Sequence, residues 1–211
     1  MSVRAARPRS RRGLLTGLLL ACLMLAPELA SAQTPSGAPM ALGKTRAPVT
    51  ITEYASVGCP HCAFWANDVF PDLRAKYIDT GKIRFVLHEM LTGNPALAAA
   101  GFMMARCATP DRYFQVVDDI FAQQPEINRD GVEALARIAA RAGLPRDRFD
   151  ACLKDQAALA ALNARVEADG KAHEITGTPT FFVGAADSTG ERLEGFQTLD
   201  ALEAAIARAQ R

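Results

Sequence analysis

From Val49 to Ser56 the chain reads VTITEYAS, β-branched and mostly apolar, the pattern of a strand buried in the middle of a sheet. The period then changes. Between Pro60 and about Asp79, the residues Phe64, Trp65, Val69, Phe70, Leu73 and Tyr77 recur at spacings of three and four, which predicts a helix with a kink at Pro71. Gly81 ends that helix, and KIRFVLHEM after it predicts a second strand. Strand, helix and strand in that order predict a right-handed βαβ unit.

A long helical stretch follows. Asn94-Pro95 and Thr109-Pro110 pair a capping residue with a proline at the first helical position, opening ALAAAGFMMARCA and DRYFQVVDDIFAQQ. Further helices are predicted at about 130–142, 145–154 and 156–174. Strand character returns at PTFFVGA (179–185), with ERLEGF as its hairpin partner across the polar turn ADSTG. An amphipathic helix, LDALEAAIARAQ, closes the chain. The pattern is therefore β-α-β, a helical block, then β-β-α, an α/β class with no internal repeat.

The N-terminus has a different character. Arg4, Arg7, Arg9, Arg11 and Arg12 precede an uncharged run, Leu14–Ala26, and then Ala30-Ser31-Ala32. A basic region, a short apolar region and an A-x-A site predict a cleavable secretory signal over residues 1–32. The apolar run falls short of the roughly 20 residues a membrane-spanning helix needs. SRRGLLTG also has a twin-arginine look, so the expected route to the periplasm is Sec or Tat. Residues 33–46, rich in Pro, Gly, Ser and Ala, are expected to be a tether.

Removing the five arginines and one glutamate of residues 1–32 leaves 19 basic and 22 acidic residues, a net charge of −3. Nothing in that balance calls for nucleic acid. It also leaves four cysteines, Cys59, Cys62, Cys107 and Cys152, the even count that paired thiols in an exported chain would give.

Cys59-Pro60-His61-Cys62 stands between the first strand and its helix. Cys59 should occupy the helix N-terminus, where free N–H groups and the positive end of the dipole favour a thiolate. Pro60 suits the first turn because its missing N–H would have had no intrahelical partner. His61 adds donors and, when protonated, positive charge. Cys62, one turn in, should be a buried resolving thiol. Covalent haem would need His at position 63, where Ala stands, and a zinc site would need clustered ligands that the remaining cysteines and histidines do not supply. A purely structural disulfide is the remaining alternative. No cofactor and no metal are expected. Cys107 and Cys152 read as structural: joined, they would close a loop of 44 intervening residues. Two buried free thiols are the other reading of that pair. No role is assigned to His88 or His173.

With these elements placed, the sequence resembles the DsbA-like branch of the thioredoxin superfamily. The likeness rests on CPHC after the first strand, Glu53 six positions before Cys59, GTPTFFV at 177–183, and the helical block between the two halves. It implies a thioredoxin fold over 47–92 and 176–211 with an all-helical insertion over 93–175. It also implies a cis bond between Thr178 and Pro179, a loop there lying against the cysteines, and a buried Glu53 that assists proton transfer at Cys62. The implied activity is protein thiol:disulfide exchange: a periplasmic oxidase acting on reduced exported proteins, recharged by a DsbB-type membrane quinone reductase and acting as a monomer. Two features depart from the pattern. Thr178 is common in isomerase relatives, which makes an isomerase or reductase the alternative, and IRFVLHEM lacks a lysine expected near the buried acid. Copper-handling proteins on this scaffold usually carry C-x-x-x-C with a distal histidine, which CPHC does not match.

Overall fold

The computed structural model describes residues 37–185 and 190–211, together with Met1. The expected signal over 1–32 and the first residues of the tether lie outside the described residues. Five strands form one mixed sheet: β1 (Met40–Leu42), β2 (Val49–Ala55), β3 (Ile83–Glu89), β4 (Thr180–Gly184) and β5 (Glu191–Glu194), in the spatial order β1-β3-β2-β4-β5. β2 and β3 run parallel, as their helical crossover requires, and every other pairing is antiparallel. β2 is central and buried at all seven positions, which is why its sequence is apolar without alternation.

The tether expectation needs correction. Met40–Leu42 pairs with Phe85–Leu87 and covers the outer edge of β3. Three residues are too few to show periodicity, and only the unpaired backbone of β3 selects them.

The predicted helix over 60–79 is interrupted. α1 (Pro60–Asp68) stops at Val69, α2 (Phe70–Leu73) holds Pro71 in its first turn, and a π-helical turn (Arg74–Ile78) completes the crossover. Pro71 has no N–H to continue the α1 ladder, which accounts for the break. Between β3 and β4 stand α3 (Pro95–Cys107), α4 (Tyr113–Ala122), α5 (Gln124–Asp130), α6 (Val132–Arg141), α7 (Arg146–Lys154) and α8 (Gln156–Ala172), and α9 (Leu199–Ala209) closes the fold. α5 was not foreseen. Asn94 caps α3 as expected, accepting from the Leu97 N–H at 3.2 Å.

Parity on β2 assigns two faces. Ile51 and Glu53 pair in register with Phe85, Leu87, Val183 and Phe181, and this face packs under α1 and α4. Trp65 is its hub, with its ring 4.7 Å from Phe181 and 5.6 Å from Phe70. On the opposite face Tyr54 lies 4.6 Å from His88 and 5.3 Å from His173, and His88 Nδ1 meets Asp169 of α8 at 2.8 Å. Both histidines therefore help seat α8.

Two cross-links fasten the insertion. Cys107 at the end of α3 is bonded to Cys152 in α7. At the end of β3, the buried Glu89 carboxylate accepts from Arg106 Nε (2.6 Å), the Tyr113 hydroxyl (2.9 Å) and Arg165 Nη2 (3.0 Å), gathering α3, α4 and α8 on one side chain. Glu89→Ala removes the carboxylate that two arginines and a buried hydroxyl share and should cost about 3–5 kcal/mol in urea unfolding. Replacing both Cys107 and Cys152 by Ser should cost about 4 kcal/mol on the chain-entropy model. A loss under about 1 kcal/mol in either case would mean that the linkage is not what holds the insertion.

Candidate active site

Cys59 is the cap of α1, with extended backbone (φ −97°, ψ 123°) and Pro60 as the first helical residue. Its N–H reaches the Ser56 carbonyl at 3.0 Å, and its own carbonyl accepts from the Ala63 N–H, starting the helical ladder. Cys59 is 7% exposed and Cys62 fully buried, whereas Pro60, His61 and Phe64 face solvent. Both thiols are free.

The loop before Cys59 is held from three sides. The buried Ser56 hydroxyl donates to the Thr92 carbonyl (2.9 Å) and accepts from the N–H groups of Gly58 (3.2 Å) and Thr92 (3.3 Å). Gly58 and Gly93 bring two backbones together: a Cβ on Gly93, at φ +73°, would meet the Gly58 carbonyl at 2.1 Å. From the insertion, the buried Gln124 carboxamide donates to the carbonyls of Val57 (2.9 Å) and Cys59 (3.2 Å). None of these groups was singled out from the sequence. Gly93-Asn94-Pro95 carried a turn signal, but nothing local marks Gln124, whose partners lie 65 and 67 positions away.

The Thr178–Pro179 bond is cis, and the loop it shapes lies against Cys59. As a thiol, Cys59 Sγ donates to the Thr178 carbonyl at 3.4 Å. The Thr178 hydroxyl in turn meets the Thr92 hydroxyl at 2.5 Å. With Thr92 as donor in that pair, Thr178 has its proton free for an ionised sulfur.

The two sulfurs are driven in opposite directions. Cys59 falls to about 5, chiefly because the Cys62 thiol donates to it, with help from Thr178 and from the backbone N–H groups of Cys62 and His61, against the cost of burial. Cys62 rises far above an ordinary thiol, first because it is buried, then because it is the donor to Cys59 and because Glu53 and Cys59 add negative charge nearby. The His61 imidazole is exposed, and the His61 backbone N–H is among the groups that favour the Cys59 thiolate.

Glu53 lies in the middle of β2, 3% exposed, with Oε1 buried and without a hydrogen-bond partner. Burial pushes its carboxyl well above the usual range, and the nearby charges of Asp118 and Cys59 push it further. Glu53 lines a cavity of about 10 Å³ with Trp65, Phe85, Phe114, Val117 and Asp118 among its walls. Asp118, on α4, was not anticipated. One of two adjacent acids on an amphipathic helix, Asp118 gives no hint in the sequence that it reaches a strand carboxylate.

Ultraviolet titration of the Cys59 thiolate should give a midpoint near pH 5. An unfolded thiol ionises near 8.5, so the folded value is depressed. The stabilisation is then fully present above the unfolded value and lost as pH falls through the folded one. Stability of the reduced chain relative to the disulfide form should therefore rise across this window by about 1.4 kcal/mol per pH unit. A flat difference would show that the site does not favour the anion.

The chain matches the thioredoxin family model over residues 35–208. It is 34% identical over 152 residues to a Rickettsia prowazekii protein named as a protein-disulfide oxidoreductase, and 32% identical over 173 residues to one of Rickettsia bellii. Those alignments cover 71% and 81% of this chain but only 55% and 64% of the two relatives. Among solved structures, Wolbachia pipientis alpha-DsbA1 superposes with a TM-score of 0.74 at 26% identity, covering 84% of this chain and 94% of that one. BdbD from Bacillus subtilis shares the fold, with a TM-score of 0.66 at 22% identity over 84% and 96% of the two chains. The chain belongs to the thioredoxin family, and its fold is similar to that of alpha-DsbA1.

Proposed function

We propose that this chain is a periplasmic thiol:disulfide oxidoreductase that introduces disulfides into exported proteins through Cys59 and Cys62. The observation carrying this reading is the pair of opposed shifts: one sulfur held as an anion at a helix start, the other held neutral one turn inside. A bridge between two such sulfurs is easily opened at Cys59, because the reduced state gains a stable anion.

In the oxidising direction, a substrate thiolate attacks Cys59 Sγ. The Cys59–Cys62 bond breaks, and Cys62 leaves with the electron pair. Glu53, neutral in its buried position, is the nearby acid that supplies the proton Cys62 takes up. A second substrate thiolate then attacks the substrate sulfur of the mixed disulfide and expels Cys59, again as an anion. The substrate loses two electrons and the protein gains them. Recharging by a DsbB-type membrane quinone reductase, export through the signal over 1–32 and action as a monomer complete the proposal. The lasting alternative is an isomerase or reductase, which draws on Thr178 beside Cys59. A stable dimer or trimer in sedimentation would favour it.

Catalytic amounts of the chain should speed disulfide formation in a reduced, unfolded substrate supplied with an oxidant. Cys59→Ser and Cys62→Ser should each abolish the effect, because neither variant can form the bridge that a substrate thiolate attacks. No acceleration over the Cys59→Ser control would end the oxidase reading.

A further inference from the structure

Exchange at Cys62 needs a proton to enter and leave a fully buried sulfur, and Glu53, its neighbour, is itself cut off from solvent. Two unpartnered buried polar atoms bear on how that proton travels. Glu53 Oε1 and Trp65 Nε1 both lack a hydrogen-bond partner among the described residues, and both residues line the same cavity. Its volume of about 10 Å³ is close to what one water requires, and a buried water needs two to four polar partners. Trp65 offers a donor, and the protonated Glu53 carboxyl can either donate or accept. The third polar wall is Asp118, whose side chain is 41% exposed and so reaches from cavity to solvent.

We propose that Asp118 is the outer station of a proton relay, joined to Glu53 through one water held in this cavity, by which Cys62 exchanges its proton with solvent. The inference rests on the exchange reading above and holds for either direction of it. When Cys62 attacks a mixed disulfide at Cys59, the new bond joins Cys59 to Cys62 and the substrate sulfur leaves with the electron pair. Glu53 takes the Cys62 proton and passes its own to the water, so its proton count is unchanged. The water hands one to the Asp118 carboxylate, which releases it to bulk. The reverse path delivers a proton when Cys62 is the leaving group. Asp118 acts through Glu53 and is a positioning residue rather than a catalytic one.

The surroundings suit that task. Asp118 stands at about 6, raised chiefly by burial, held back by Arg74 Nη1 of the π-helical turn 3.8 Å away, and pushed up by Asp119. Glu53 faces it from β2. Asp118 is thus a carboxylate able to accept at neutral pH and an acid able to donate just below it.

The test is single turnover of the reduced chain with an aryl disulfide reagent, which releases one aryl thiolate as Cys59 attacks and a second as Cys62 resolves the adduct. The second phase of the wild type should rise through an inflection near pH 6. Asp118→Asn should slow that phase about tenfold at neutral pH, less than loss of a direct general acid or base, and remove the inflection. Asp118→Glu should restore both. The first phase, governed by Cys59 alone, should be the same in all three proteins and reports separately on the exchange reading. An Asp118→Asn second phase with wild-type rate and inflection overturns the relay. So does a uniform loss at every pH that Asp118→Glu fails to repair.

Discussion

The site depends on one constraint: two sulfurs three positions apart must differ in their hold on a proton. The backbone supplies the difference by placing Cys59 where a helix has N–H groups to spare and Cys62 one turn inside, where it is fully buried. The Cys62 thiol then donates to the Cys59 anion, so the same proton that neutralises one sulfur stabilises the charge on the other. Each shift strengthens its opposite.

The insertion participates in this arrangement directly. Gln124 of α5 fixes the carbonyls of Val57 and Cys59, and α4 closes the cavity that holds Glu53 away from solvent. Glu89 fastens α4 together with α3 and α8, and the Cys107–Cys152 bond ties α3 to α7. The helical block is therefore part of the walls of the site, and geometry at Cys59 depends on packing many residues away.

How much of this the sequence discloses follows from the range of each interaction. The βαβ unit, the central strand and the hairpin were legible because periodicity is local, and Asn94-Pro95 was legible because a cap is. Cys59, Pro60, Cys62 and Glu53 were found from motif, position and family likeness, and the structure brings them together with Thr178 and Pro179. The edge strand at Met40–Leu42, the break at Val69 and the helix at Gln124–Asp130 were not legible, since each is selected by what lies across from it. Gln124, Thr92 and Asp118 escaped for the same reason: their meaning resides entirely in distant partners.

The Cys107–Cys152 bond has a further implication. Both cysteines are distant in sequence from the reactive pair, and the bond between them spans two helices that help build the wall around it. A newly made chain starts without that bond, so the helices around the site gain one of their fastenings only after two thiols outside the site have been oxidised.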